Sequence, residues 1–319
     1  MTLPLVFMFG GQGSHYYAMG KNLLEVNTTF HDWMLKADHI LIEKTGLSVL
    51  EFFYHRSSDK EDTLINLRLS HPAIFMVEYA LAQMLLEKGI KPDLIIGSSL
   101  GEIMASAVAG AISFESALNI ILAQVESLIQ CNQPGHMIAI LHHHALYKTD
   151  GILAQLAELA AINFESHFIV SVSANNKTRL EEHLKKQNVT YFLLPVSQAF
   201  HSSLINPAKS FFLKSIQSIH LHSLHIPLVS CAYARVMNEI SHEYFWDVIS
   251  QPIRFPEVLQ LIEKKHAAFY LDLTPSGTLA NFVKYNLSSQ SSNSKQFSLL
   301  SPYSQDLQQF NQILTILEK

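Results

Sequence analysis

A serine between two glycines, in Gly97-Ser98-Ser99-Leu100-Gly101, has the spacing of a catalytic nucleophile. An apolar run precedes this segment and a run of small residues follows it, which is the strand-turn-helix order of a nucleophile elbow. The glycines allow a sharp turn without Cβ clashes. The Ser99 hydroxyl is then exposed at the strand tip, and the Leu100 amide points toward a bound carbonyl oxygen. A tight turn with incidental serines gives the same pattern, so other parts of the chain are needed to distinguish a structural turn from a catalytic one.

A second glycine-rich turn, residues 10–14 (Gly-Gly-Gln-Gly-Ser), follows an apolar run that suits a central strand. The backbone amide of Gln12 is a candidate second donor to the same carbonyl oxygen. The turn lacks the Lys-Ser/Thr ending of a phosphate-binding loop. Much later, His201 follows a predicted strand end, but it is one of 17 histidines and its position alone does not pair it with Ser99.

Hydrophobic periodicity predicts the elements that would position these residues. Apolar runs before both turns and at residues 269–273 predict core strands. One helix is predicted to begin at Pro72, with Ser70 as its cap. Another is predicted over residues 114–130, with Gln124 on its apolar face. A polar side chain in such a stripe lies either at a helix edge or in a site.

Residues 135–196 differ in character from the rest of the chain. Their alternation of strands and helices suits a small α+β subdomain inserted in a larger one. We therefore expect an α/β protein with a large part from residues 1–134 and 197–319, in which residues 251–255 form a loop. In the small part the predicted strands are 137–141, 168–172 and 190–196, and the predicted helices are 151–159 and 177–186.

Composition excludes several classes of protein. With 319 residues, 48% hydrophobic and 15% charged, the chain is globular with a large core. The net charge is −5 and no basic cluster stands out, so no nucleic-acid partner is expected. Two cysteines without paired spacing fit the cytoplasm, and no membrane span or signal peptide is evident. Three adjacent histidines, residues 142–144, cannot all face one ion, so no metal site is expected.

Short motifs in a fixed order extend over almost the whole chain. They are Phe9-Gly10-Gly11-Gln12-Gly13-Ser14, Ser99 with Glu102, Gln198-Ala199-Phe200-His201-Ser202, Pro252-Ile253-Arg254-Phe255 and Asp272-Leu273-Thr274-Pro275-Ser276-Gly277. Together they resemble the malonyl-CoA:acyl-carrier-protein transacylase family, which is similar to the acyltransferase domains of polyketide synthases. The first motif has Gly10 where the family usually has proline.

The resemblance implies a hydrolase-like α/β body with a ferredoxin-like insert. It also implies ping-pong acyl transfer without a cofactor, in which His201 takes the proton of Ser99 and Ser99 attacks a thioester carbonyl. The amides of Gln12 and Leu100 would hold the oxyanion, and the backbone carbonyl of Gln251 would orient His201. The implied partners are an acyl carrier protein, through its phosphopantetheine thioester, and acyl-CoA. The family is often monomeric.

Three positions depart from the malonyl-transferring pattern. Gln124 stands where those enzymes carry an arginine that pairs with the malonyl carboxylate through two hydrogen bonds. Because glutamine is neutral, this departure predicts selection for acyl groups without a free carboxylate, such as acetyl or longer chains. Ser98 replaces a histidine and His71 replaces a glutamine. Together with Phe200, they are expected to shape the acyl pocket.

Three functions are compatible with these residues. Glutamine at the arginine position resembles free-standing acyl hydrolases of polyketide synthases, which clear stalled acyl groups from carrier proteins. The second possibility is an acyltransferase that loads malonyl or a non-carboxylated starter from CoA. The third, a non-catalytic subunit that docks carrier proteins, is disfavoured by the presence of Ser99, Gln12 and His201. A generic esterase is weaker still, because a Ser-Asp-His order is expected there.

Overall fold

The computed structural model describes residues 3–55, 60–288, 292–303 and 306–317, which form two sheets with helices packed on them. A π-helical turn lies at Glu51–His55 and a 3₁₀ helix at Ser203–Ala208. The strands are β1 (Leu5–Phe9), β2 (Leu94–Gly97), β3 (Gly135–Leu141), β4 (Ala157–Phe164), β5 (His167–Ser173), β6 (Thr190–Leu193), β7 (Leu228–Ser230), β8 (Arg235–Met237), β9 (Ile253–Arg254), β10 (Phe269–Asp272) and β11 (Lys295–Ser298). The α-helices are α1 (Lys21–Val26), α2 (Thr28–Thr45), α3 (Lys60–Ile65), α4 (Leu67–Glu87), α5 (Gly101–Val108), α6 (Phe114–Cys131), α7 (Leu146–Thr149), α8 (Gly151–Leu156), α9 (Lys177–Lys186), α10 (Lys209–Ile216), α11 (His242–Ser250), α12 (Phe255–Glu263), α13 (Thr278–Leu287) and α14 (Asp306–Leu317).

The larger sheet brings the two glycine turns together. Its strand order is β11-β10-β1-β2-β7-β8, parallel except for β8. Strands β1 and β2 are neighbours with Phe9 opposite Gly97. The turns that follow them therefore leave the sheet side by side, at the carboxyl ends of the strands, where open α/β sheets place their sites.

The core lies on both faces of the larger sheet. Strand β1 is buried along its whole length. Its Phe7 and Phe9 pack into the cluster on one face, whereas Val6 and Met8 pack into the cluster on the other. This alternation is expected of a central strand covered by helices on both sides. Such a strand holds the turn that follows it in a fixed place.

Helix α4 begins one turn earlier than predicted. The predicted start was Pro72, with Ser70 as the cap, but the side chain of Asn66 caps the helix by accepting from the amide of Arg68. Pro72 lies inside the helix, where it has no amide to donate to the carbonyl four residues earlier. Within the described ranges α4 is the one helix apolar and long enough to span a membrane. Because 89% of its most apolar window is buried in the structure, α4 is a core helix.

The smaller sheet has the strand order β6-β3-β5-β4-β9. The first four strands are antiparallel and come from residues 135–193, and β9 pairs in parallel with β4. The order of those four strands, with helices after the first and the third, is ferredoxin-like. The fold is thus α/β, with a mainly parallel sheet beside a smaller antiparallel one.

Two elements of the smaller sheet differ from the sequence prediction. The predicted helix over residues 151–159 ends at Leu156, and β4 follows at once. The start of β4 is rich in helix-forming residues, but pairing with β5 and burial override that propensity. The predicted loop at residues 251–255 contains β9, which extends the smaller sheet with a strand from the large part of the chain.

Candidate active site

The turn after β2 holds Ser99 in the left-handed backbone region, with φ of 56°. This conformation is strained for a serine, so the packing around it must enforce it. The flanking glycines permit the close packing that does so. A Cβ atom on Gly97 would lie 2.5 Å from Cα of Glu102, and one on Gly101 would lie 2.1 Å from the carbonyl oxygen of Phe9. The predicted need for glycine is therefore steric.

The side chain of His201 lies against the Ser99 hydroxyl. The distance from Oγ of Ser99 to Nε2 of His201 is 2.8 Å. On the other side of the ring, Nδ1 lies 2.8 Å from the backbone carbonyl oxygen of Gln251. Because a carbonyl only accepts, Nδ1 carries the ring proton and Nε2 is free to accept from Ser99. A further hydrogen bond, from the His201 amide to the carbonyl of Ile249, fixes the backbone.

The imidazole of His201 is 3% exposed. Burial lowers its pKa to about 4, although the hydrogen bond with Gln251 acts in the opposite direction. The ring is therefore neutral at pH 7, which is the form that can take a proton from Ser99.

We predict that the rate of Ser99 acylation falls on the acid side of its pH profile near pH 4, well below the ordinary histidine pKa of 6.5. Only neutral His201 accepts a proton, so the rate falls as the pH drops through the pKa of this ring in the folded protein. Labelling of Ser99 by a serine-directed phosphonate, measured across this range while circular dichroism follows the fold, tests the prediction. A fall centred at pH 6.5 with the fold intact would contradict it.

Gln12 and Leu100, the residues whose backbone amides are the predicted oxyanion donors, both line the cavity at Ser99. Leu100 is the N-cap of α5, where amides have no helical acceptor. Neither amide donates to an acceptor among the described residues. The two turns are in close contact, since a Cβ atom on Gly11 would lie 3.2 Å from the amide nitrogen of Leu100. This arrangement is suited to hold a carbonyl oxygen that becomes negatively charged.

A cavity of about 370 Å³ opens at Ser99 and His201 between the two sheets. Gln124 lines this cavity and is 1% exposed, so of the two sequence alternatives the side chain lies in a site and not at a helix edge. Ser98 also lines the cavity. His71 and Phe200 line it with their rings 5.9 Å apart. Most of the remaining wall is apolar and includes Met137, Ala139, Ile169, Leu194, Val196, Leu279 and Phe282.

The cavity wall is uncharged. Among the described residues that line it there is no lysine, arginine, aspartate or glutamate. Burial lowers the pKa of His71 to about 3 and lowers those of His15 and His167 from the ordinary value, so these rings are neutral at pH 7 as well. The wall therefore has no cation that could replace the arginine absent at Gln124.

Glu102 connects the turn that carries Ser99 to the segment that leads into Gln251. Its carboxylate accepts from the amide of Ala232 at 2.9 Å and from the hydroxyl of Tyr244 at 2.5 Å. Tyr244 belongs to α11, which ends directly before Gln251. Burial raises the pKa of Glu102 to about 7, and these hydrogen bonds oppose the rise. The motif singled out Glu102, but its partners could not be named from the sequence.

Replacing Glu102 by alanine is expected to lower the free energy of unfolding by about 2–5 kcal/mol, because two buried donors lose their acceptor. Glutamine is the matched control, since it keeps the size and one acceptor. The folded protein keeps the Glu102 proton up to about pH 7, whereas the unfolded chain loses it near 4.5. The wild type therefore loses stability relative to the glutamine variant as the pH rises between these values. Urea unfolding measures both effects. If the difference in free energy of unfolding between the wild type and the glutamine variant did not change with pH, the predicted pH dependence would be wrong.

Glu78 is a buried carboxyl group that the sequence analysis missed. It lies on α4 and accepts from the amide of Gly10, at 3.2 Å to Oε2, and so supports the turn that carries Gln12. Burial raises its pKa well above the ordinary value, and nearby Asp272 adds to the rise. An acidic residue in the middle of an apolar helix was the signal that could have identified it.

Known proteins are similar to this chain in sequence and in fold. The family described as "acyl transferase domain" matches residues 6–319. The polyketide biosynthesis acyltransferase homolog BaeD of Bacillus velezensis is 41% identical over 284 residues, which cover 89% of this chain and 88% of BaeD. The homolog PksD of Bacillus subtilis is 39% identical over 313 residues, 98% of this chain and 96% of PksD.

Among solved structures, a loading acyltransferase from the avermectin modular polyketide synthase superposes with a TM-score of 0.89. The match covers 99% of this chain and 100% of that one. The two are 20% identical, so this likeness concerns the fold alone.

Proposed function

The chain belongs to the acyl transferase domain family, and on that premise we propose that it hydrolyses acyl thioesters on the carrier proteins of a polyketide synthase. The acyl groups are uncharged, acetyl or longer, and the reaction passes through an acyl-Ser99 ester. BaeD and PksD, both described as polyketide biosynthesis acyltransferase homologs, support the polyketide context. The role is the removal of stalled acyl groups.

The first half of the reaction acylates Ser99. Its Oγ attacks the thioester carbonyl carbon while Nε2 of His201, 2.8 Å away, takes the hydroxyl proton. The carbonyl oxygen becomes negatively charged and accepts from the amides of Gln12 and Leu100. The carbon–sulfur bond then breaks, and the phosphopantetheine sulfur leaves with the proton from His201.

The second half releases the acyl group. Water attacks the ester carbon and gives a proton to Nε2 of His201. The bond to Oγ of Ser99 breaks, and Oγ regains the proton. The products are a free acid and a carrier protein with a free thiol. A thiol in place of water gives acyl transfer by the same steps, so hydrolysis and transfer differ in the acceptor alone.

The observation that carries this proposal is the uncharged wall around Gln124. A malonyl carboxylate in that cavity would be buried without a charged partner, which costs several kcal/mol. An acetyl or longer acyl group brings no charge to the same place. The wall thus supports selection of uncharged acyl groups, which the synthase cannot extend as malonyl units, whereas the choice of water as acceptor is the part that the experiment below tests.

A trans-acting acyltransferase that loads an acyl group from CoA onto a carrier protein is the second candidate. The acyltransferase names of both Bacillus relatives favour it. A non-catalytic docking subunit is disfavoured, because the hydrogen-bonded chain from Ser99 through His201 to Gln251 is what covalent catalysis requires.

Intact-protein mass spectrometry distinguishes these candidates. One carrier protein is charged with acetyl or malonyl, and a second, uncharged carrier protein is present as acceptor. Loss of acetyl without gain on the acceptor, and with malonyl retained, is the expected result. Acyl gain on the acceptor would establish transfer instead. The Ser99→Ala variant, which lacks the nucleophile, must abolish either reaction.

A further inference from the structure

Four polar side chains of the cavity wall have buried atoms without hydrogen-bond partners among the described residues. These atoms are Nε2 of Gln12, Nδ1 of His15, Nδ1 of His71 and Oε1 of Gln124, and all four side chains line the cavity at Ser99. Gln124 and His71 are 1% and 2% exposed. Buried polar atoms in folded proteins nearly always have a partner, so a group of four in one cavity would bind either ordered water or a polar group of a ligand that displaces it.

The contacts of the same side chains show which of these atoms donate and which accept. Nε2 of His71 lies 3.4 Å from Oε1 of Gln12, and Nε2 of His15 lies 2.9 Å from the carbonyl oxygen of Leu64. Each contact requires a proton on Nε2, so Nδ1 of each neutral ring is an acceptor. Burial lowers the pKa of both rings and keeps them neutral. With Oε1 of Gln124, the buried atoms without partners are three acceptors and one donor, Nε2 of Gln12, and the Nε2 group of Gln124 is a further donor of the wall.

A ligand that satisfies this set must donate a hydrogen bond and also accept one. A carboxylate accepts only and would leave the three unpartnered acceptors without a donor, whereas an alkyl chain neither donates nor accepts. An ammonium group donates, but no described residue of the cavity wall supplies the anion that would balance its buried charge. A neutral hydroxyl group both donates and accepts.

We propose that the cavity selects acyl groups that bear a hydroxyl. The hydroxyl donates to an acceptor of the wall, Oε1 of Gln124 or Nδ1 of His71, and accepts from Nε2 of Gln12. The proposal rests on the acyl-carrier hydrolysis described above and names the substrate class of the same site. It adds the side chain of Gln12 to those that determine specificity.

The test compares acyl groups of equal length on the same carrier protein, butyryl and 3-hydroxybutyryl, with propionyl and lactyl as a second pair. Mass spectrometry follows both acyl-Ser99 formation and release. We expect kcat/KM to be about tenfold higher for the hydroxylated member of at least one pair, the effect of one good hydrogen bond. The Gln124→Leu variant should reduce that ratio, whereas Gln130→Leu, an exposed site on the same helix, should keep it.

Equal rates, or faster reaction of the unsubstituted chains in both pairs, would overturn the proposal. The wild-type comparison decides this even if Gln124→Leu does not fold. Failure of the proposed function has a different signature. If the acyl groups pass to an acceptor thiol and not to water, the proposed hydrolysis is wrong. The rates of acyl-Ser99 formation from the hydroxylated and the unsubstituted chains can still be compared, and their ratio measures the selectivity of the cavity. If no acyl group reaches Ser99, both proposals are wrong.

Discussion

Replacing His201 by alanine is expected to lower the rate of Ser99 acylation by about 10⁴-fold or more. Nε2 of His201 is the group positioned to take the hydroxyl proton, at 2.8 Å. Behind the ring stands a backbone carbonyl, that of Gln251, and not a carboxylate. A backbone carbonyl is too weak a base to take the hydroxyl proton, so the Gln251 carbonyl cannot replace the imidazole once it is removed.

Rapid-quench mass spectrometry of the acyl-enzyme measures this effect. The Ser99→Ala variant gives the background rate. The variant with both Ser99→Ala and His201→Ala should be no slower than the slower of the two single variants, because the two residues act as a unit. His266→Ala, at an exposed position, is the matched control and should retain the wild-type rate. A loss of about tenfold or less in folded His201→Ala protein would mean that another group deprotonates Ser99.

The Gln124→Arg variant is expected to change the selectivity of Ser99 acylation from acetyl toward malonyl by about a hundredfold or more. The new guanidinium would lie in an uncharged cavity and could pair with the malonyl carboxylate through two hydrogen bonds. With acetyl bound, the same guanidinium stays buried without a partner. Both effects favour malonyl.

Competition between malonyl-charged and acetyl-charged carrier proteins measures this ratio as the masses of the two acyl-enzymes. Gln124→Lys should give a smaller change, since an ammonium group lacks the two-pronged geometry. Gln130→Arg adds the same charge at an exposed position of α6 and should leave the ratio unaltered. If the arginine variant is folded and its ratio equals that of the wild type, residue 124 does not face the acyl group.

Local features of the site could be predicted from the sequence. Each of the two glycine turns follows a short apolar run. A strand followed by a turn depends mainly on residues that are neighbours in the sequence, so both turns could be predicted. In the structure the turns lie side by side because β1 and β2 pair. The apolar face of α6 likewise marked Gln124 as unusual before its position in a cavity was known.

Long-range features could not be derived from the residues. His201 contacts Ser99 across 102 positions of the chain, and nothing local separates it from the other histidines. The resemblance, and not a physical pattern, pointed to this pair and to Gln251. The unpartnered Nδ1 of His15 had no signal at all in the sequence, because the folded chain alone determines which buried atoms lack partners.

Strand β4 illustrates the same limit for the fold. Its first residues favour a helix locally, and pairing with β5 on one side and β9 on the other determines the strand. The start of α4 is similar, since Ser70 followed by Pro72 is a good local signal, yet the helix continues one turn further toward its N-terminus to Asn66. In both cases tertiary packing overrides local preference.

The crossing strand β9 has a mechanical consequence. It begins two positions after Gln251 and pairs with β4, with Ile253 opposite Ala161, while the amide of Arg254 donates to the carbonyl of Cys231 at the end of β7. The two walls of the cleft are thus tied to each other through a short, stiff tether. A hinge motion that widened the cleft would therefore pull on this tether and move the carbonyl that lies 2.8 Å from Nδ1 of His201, which would disturb the alignment of that ring with Ser99.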